Sequence, residues 1–399
     1  MNEIIENHIT NHTLLGVGTM STLCIEAAME VVKKYRYPII FICSRNQIES
    51  HVLGSGYVNG WSSRELKNYI QNRAKELCIQ KYIFIGRDHG GPWQNDREYK
   101  KNVSESTAFS NCLLSYYEDL DAGFDFIHID TSRDPNLIKV PIEIAINRAI
   151  YILRNLENYR ISNGYAEVVY EISVDETRCS EASLDEYKTF CERFIEETKA
   201  GMLPMPKFVV GNTGTYTKMD TNIGSVDYDV VRALYKVSQL QGVLLKEHNA
   251  DYLDQDTLRQ HFEIGIRMVN VAPEFAHKET CKLLEMERLW NQYVDNELMD
   301  STLRTNIEDI LINNIILSDK WKKWIISYDG SDNKIFDDKQ LRNKIVVVNG
   351  HYFYHNIDVM NERRKLMTYL EKYKLVLRPE NNIIKQIKLS IERYLKAFS

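Results

Sequence analysis

No C-x-x-C pair occurs among the seven cysteines, Cys24, Cys43, Cys78, Cys112, Cys179, Cys191 and Cys281, and their number is odd. This argues against a disulfide framework and fits thiols used as small apolar residues in a reducing compartment. Positive charge is not in excess. The net charge is −6 and the isoelectric point about 6.0, so a nucleic-acid surface is not expected. Apolar runs such as "YPIIFIC" are far too short to span a bilayer. The opening "MNEIIENHITNHT" is polar and mildly acidic, unlike a signal peptide. Low-complexity linkers are missing too. The expectation is a cytoplasmic protein with neither nucleic acid nor membrane as partner. Its 399 residues, 44% hydrophobic and 27% charged, suffice for a large domain with an appendage or for two ordinary domains.

Eight short apolar runs recur in the first two-thirds: "LLGVGTM" (14–20), "YPIIFICS" (37–44), "KYIFIGRDH" (81–89), "FDFIHIDTS" (124–132), "AEVVYEISVD" (166–175), "PKFVVGNTG" (206–214), "GVLLKEHNAD" (242–251) and "IRMVNVAPEF" (266–275). Near-continuous Val, Ile, Leu and Phe suits parallel strands buried on both faces. Segments of helical periodicity alternate with them, roughly 22–36, 62–78, 99–121, 141–160, 183–199, 226–240, 254–264 and 277–297. "SLDEY" places Glu186 three residues after Ser183, a capping box. Pro141 suits a first helical position. The alternation predicts an α/β fold, a TIM (β/α)8 barrel over 1–298, with an open doubly wound sheet as the rival. From 299 to 399 the texture is Lys-rich and mainly helical, predicting an extension packed on the barrel; "NKIVVVNGHYFY" within it reads as a strand or a buried edge. "GVGTMS" lacks the third glycine of a dinucleotide loop, and "FICSRNQ" offers no acid after the second strand.

In a barrel, catalytic groups lie at the C-terminal strand ends. Those ends are polar here: Asp88-His89; His128 and Asp130; Glu171 and Asp175; Asn212-Thr213-Gly214-Thr215; Glu247-His248 and Asp251; Asn270 and Glu274. The opposite ends show mostly Tyr, Pro, Lys and Phe. Two histidines and a carboxylate converging on one rim suit a divalent cation, and a further carboxylate could serve as acid or base. A carboxylate inside an apolar strand, as Glu171 is, is costly unless paired or metal-bound. "HITNH" and "HYFYH" have helix-like ligand spacing but lie outside the barrel core.

These residues carry a resemblance. "SRNQIE" with "GYVNGW", "GRDHGGPW", "FIHIDTS", "EISVDE" with Glu181 beyond, "LKEHNADY" and "NVAPEF", and in the tail "DKWKKWI" and "HYFYHNIDV", are similar to segments of the GatZ/KbaZ family of class II D-tagatose-1,6-bisphosphate aldolase subunits, often called non-catalytic. More distantly the chain resembles the class II fructose-bisphosphate aldolases. The resemblance implies a TIM barrel, a sugar-phosphate substrate, a divalent metal with Zn2+ ahead of Mn2+ or Co2+, and a class II aldolase catalytic subunit as a candidate partner; a homo-oligomer is expected besides. It implies His89, His248 and Glu171 as metal ligands, and Asp88, with Glu171 and Asp130, as catalytic groups around a metal-stabilised enediolate. Asn46, Gln47, Asn212, Thr213, Asp251, Asn270 and Glu274 then fall to substrate binding, with backbone N–H groups of the sixth and seventh strand loops facing the phosphate. One departure stands out. Class II aldolases carry a further ligand histidine at the sixth strand end, where this chain has "GNTGTYT". Three readings follow: a metal-dependent aldolase acting on a ketose phosphate or bisphosphate, a catalytically silent subunit of a partner aldolase, and a metal-dependent sugar epimerase or isomerase.

Overall fold

The computed structural model describes residues 3–173, 184–318, 320–324 and 338–398. Ser183 of the expected capping box, Asp175 and Glu181 lie outside them. Eight parallel strands close into a barrel: β1 (Leu14–Gly18), β2 (Ile39–Cys43), β3 (Ile83–Gly90), β4 (Phe126–Asp130), β5 (Val169–Ser173), β6 (Phe208–Val210), β9 (Leu244–Glu247) and β10 (Met268–Val271). β10 pairs back on β1, so the sheet has no free edge and the doubly wound alternative falls away. The two-residue strands β7 (Thr217–Lys218) and β8 (Thr221–Asn222) form an antiparallel hairpin after β6. Among the described residues, no helix is long and apolar enough to cross a membrane.

Alternation along the strands divides the residues between two cores. Leu15, Val17, Phe41, Ile85, Ile127, Ile172 and Val209 face outward, into the layer filled by the surrounding helices. Leu14, Ile40, Phe84, Phe126, Phe208 and Met268 face inward and pack with Ile5 and Ile9. Those two isoleucines come from the helix Glu3–Asn11, which seals the N-terminal mouth of the barrel. Two residues further along β4, β5, β9 and β10 the inward positions turn polar, with His128, Glu171, Lys246 and Asn270, and on β3 Asp88 follows four residues after Phe84; all five are buried. An interior that is greasy below and charged above places the chemistry at the C-terminal rim.

The C-terminal part is helical, as expected, with one correction. "NKIVVVNGHYFY" forms the helix Lys339–Asn349 and the 3-10 turn Gly350–Phe353, not a strand. Its β-branched run reads as sheet, but Ile345 to Val348 are buried within the helical core, and packing of that kind overrides local propensity. The last helix, Pro379–Ala397, joins the same core through Ile383, Ile387 and Ile391.

Candidate active site

The Asp88-His89 pair ends β3 in a distorted stretch. Register with β4 shifts between Arg87 and Gly90, and His89 takes a left-handed backbone, φ +43°. Such a bulge re-aims side chains at a strand end. The backbone N–H of His89 donates to His128 Nδ1 at 3.1 Å. The glycines that follow answer to crowding. A Cβ at Gly90 would stand 2.5 Å from the Tyr116 ring, and one at Gly91, φ +142°, would stand 2.0 Å from the Asp130 carbonyl oxygen.

Around this turn three ligand-bearing side chains converge. Asp88, His89 and His248 each bring a ligand atom within 4.8 Å of the others. Asp88 Oδ1 accepts from Asn270 Nδ2 at 3.0 Å and lies 3.4 Å from His248 Nε2. His89 Nδ1 meets Asp130 Oδ2 at 2.9 Å, and Asp130 Oδ1 accepts the Ser132 N–H at 2.9 Å. With its proton on Nδ1 and donated to Asp130, His89 turns Nε2 into the lone-pair nitrogen, the usual preparation of a metal-binding imidazole. His128 is held differently. Its Nδ1 receives the His89 N–H and its Nε2 meets Ser173 Oγ at 3.0 Å. Its Nδ1 also lies 3.5 Å from Asp88 Oδ1. Burial would raise the Asp88 carboxyl, but His248 and His89, then His128 and Lys246, outweigh it and hold Asp88 well below the ordinary carboxylate range. Two imidazoles at this spacing suit a divalent cation of the zinc type, and the carboxylate beside them is placed to move a proton.

Asp88, His89 and His248 line a cavity of about 480 Å³, together with Asn46, Gln47, Asp251 and Asn270. Asn46 braces one wall, accepting from Asp96 N–H at 2.9 Å and donating to the Gln94 carbonyl at 3.1 Å. Gln47 accepts the Ser44 N–H at 2.6 Å. Asp251 Oδ1 accepts from the backbone of Ala272 and Glu274, at the start of the helix Pro273–Asn296. Burial pushes its carboxyl up to about 7, despite those two hydrogen bonds.

Other expected residues stand elsewhere. Glu171 is outside the cluster: its Oε2 accepts from Lys246 Nζ at 2.6 Å, and both side chains are almost fully buried. A carboxylate committed to an ammonium is a poor metal ligand, so Asp88 and not Glu171 is the acid beside His89 and His248. Glu274 turns away from the cavity. It accepts from Arg393, Ser390, Tyr394 and the Tyr252 N–H, bonds that outweigh burial and hold it below its usual range. Asn212 and Thr213 build a turn and do not line the cavity. Asn212 Oδ1 accepts the Gly214 N–H, Thr213 meets Thr215, and Thr215 donates to the His248 carbonyl. Glu247 faces outward to His261 at 3.0 Å. The sequence reading passed over Lys246. Its cue was there: a cation two residues before His248 shares that residue's side of the strand.

Residues 1–177 match the family model described as D-tagatose-1,6-bisphosphate aldolase subunit GatZ/KbaZ-like. No curated protein matches the chain. Among solved structures, a probable tagatose 6 phosphate kinase from Sinorhizobium meliloti 1021 is similar with TM-score 0.74 at 18% identity, covering 97% of this chain and 100% of that one. The fructuronate-tagaturonate epimerase UxaE from Cohnella laeviribosi gives TM-score 0.58 at 12% identity, covering 97% and 81%. The fructose-bisphosphate aldolase of Campylobacter jejuni gives 0.54 at 12%, covering 100% and 94%. At such identities these likenesses establish the fold alone. The motif resemblance and the family match agree: residues 1–177 are similar to the GatZ/KbaZ-like model, and the fold is shared with these barrel structures.

Proposed function

We propose that the protein is a metal-dependent, class II-type aldolase acting on a ketose phosphate or bisphosphate such as tagatose-1,6-bisphosphate. The observation that carries this is the convergence of Asp88, His89 and His248, with Asp130 orienting His89. His89 and His248 are the residues that would hold the ion, zinc before manganese or cobalt. A divalent ion there supplies Lewis-acid polarisation of the ketose carbonyl. Asp88 takes the proton of the hydroxyl on the carbon that becomes the aldehyde, and the electrons of the breaking C–C bond move toward the carbonyl. Asn270 holds one of its oxygens in place. Asn46, Gln47 and Asp251 form the polar wall that the sugar would face.

A second reading has its own support. The turn Asn212-Thr213 stands where class II aldolases carry a further histidine, which favours a silent subunit that assists a partner aldolase. Metal analysis with an aldol-cleavage screen of ketose mono- and bisphosphates, run alone and with a class II aldolase chain, separates the two. Turnover by the isolated chain with about one ion per chain is expected. Activity appearing only on mixing establishes the silent subunit. Asp88→Asn should retain the ion and lose on the order of 10²–10⁴-fold in turnover. Loss of the ion instead would make Asp88 a ligand and end its proton role.

A further inference from the structure

A second cavity, of about 590 Å³, opens at the seam between the barrel and the C-terminal part. Met20, Ser21 and Tyr57 line it from the barrel side, and the helix Ile357–Lys372 with the start of the helix Pro379–Ala397 lines it from the other. Met20 and Tyr57 also line the cavity that holds Asp88, His89 and His248, so the two cavities share a wall. Gln47 Nε2 and the Tyr57 hydroxyl both meet Met20 Sδ, at 2.8 and 3.6 Å, and tie that wall together. Three arginines reach the second cavity. Arg363 Nη1 pairs with the buried Glu279 at 3.0 Å, and Glu279 in turn accepts from Ser21. The guanidinium groups of Arg364 and Arg378 make no ion pair or hydrogen bond among the described residues. The carboxylates of Glu371 and Glu380 line the same cavity and are unpaired as well. Two guanidinium groups and two carboxylates, held apart in one concavity, present both signs of charge to an occupant.

We propose that this cavity is a second binding site, for the phosphate monoester of a hydroxyl-rich small molecule such as a sugar phosphate. Arg364 and Arg378 take the phosphate, and Glu371 and Glu380 accept from the hydroxyls. A guanidinium fork matches phosphate oxygens bidentately. Ionised carboxylates only accept, so hydroxyl donors answer them. A bare anion would satisfy the arginines and stand against the two carboxylates; a sugar phosphate serves all four groups. A volume of about 590 Å³ lies in the range that encloses such a molecule. The occupant touches Met20 and Tyr57 and thereby the back of the active-site wall. The site does not rest on the aldolase reading, since Asp88, His89 and His248 all lie outside it.

The test is titration calorimetry on the full chain, with glucose 6-phosphate, inorganic phosphate and glucose as probes. Glucose 6-phosphate should bind more tightly than either of the others. Arg364 and Arg378 are exposed, so the double variant Arg364→Gln/Arg378→Gln keeps the fold; it should weaken glucose 6-phosphate at least tenfold. Thr368→Trp, which fills the cavity without changing its charge, should do the same. Arg154→Gln, at an exposed arginine of the helix Ile142–Ser162, should change nothing. The proposal is overturned if glucose 6-phosphate fails to bind the wild-type chain, if either cavity variant binds it normally, or if Arg154→Gln weakens it as much as they do. Binding that depends on the two arginines, without turnover of any ketose phosphate, would sink the aldolase reading and leave this site standing.

Discussion

Lys246 and Glu171 face each other inside the barrel at 2.6 Å, both nearly without exposure, and Glu171 Oε1 has no hydrogen-bond partner among the described residues. Removing one member strands the other charge in the interior. Glu171→Gln or Lys246→Met should each cost about 3–5 kcal/mol, and the double substitution with Met at both positions should recover most of it. Urea unfolding of the three variants checks this; equal costs for single and double variants would refute the pairing. Asp130 meets His89 Nδ1 at 2.9 Å and orients that ring. Asp130→Asn should therefore lower metal affinity by about 10–100-fold, read by metal titration without any substrate.

The helix Glu3–Asn11 responds to pH through His8. Its His8 lies under Tyr37, ring centres 4.3 Å apart, and stacks with His12 at 4.9 Å. Burial first, then the charge of His12, lowers its pKa from 6.5 to about 4. Between those values the unfolded chain binds the proton and the folded chain does not. Its contribution to stability is complete above pH 6.5 and is lost as the pH falls toward 4. Asp251 slopes the other way: buried and raised from 3.8 to about 7, it costs stability as the pH climbs between them. The two windows overlap, so the comparison is between proteins. His8→Gln should lose less stability than wild type between pH 7 and 5 in thermal melts. Equal losses would show that His8 does not couple the barrel plug to pH.

At the scale of the whole molecule, the C-terminal part is tied into the barrel. The helix Pro379–Ala397 sends Arg393 and Tyr394 to Glu274, while Lys388 pairs with Glu30 and Glu392 with Lys34. Ile383, Ile387 and Ile391 belong to the same apolar core as the outer face of the barrel. The full chain should therefore unfold in one calorimetric transition, and truncation after Leu298 should leave a barrel without a cooperative melt. Two transitions in the full chain, or a sharply melting truncation, would show that residues 1–298 stand alone.

Much of this was readable from short stretches. The inward-outward alternation of β3, β4 and β9 depends on neighbouring residues, as do the polar strand ends, so the barrel and the meeting of Asp88, His89 and His248 on its rim could be anticipated. Glu171 could be recognised as a buried carboxylate needing a partner. That the partner is Lys246, 75 residues away, was settled by strand order around the closed sheet. Glu274 carries the same lesson over 119 residues to Arg393. The run Ile345–Val348 could have been strand or helix, and burial in the helical core decided it. By itself the sequence determined the elements, their inward faces and the rim where chemistry gathers, because alternation and strand ends are local properties. Only the tertiary structure decided which charges neutralise one another and that Arg364 and Arg378 share a cavity with Met20 and Tyr57, because those meetings depend on distances between segments far apart in the chain.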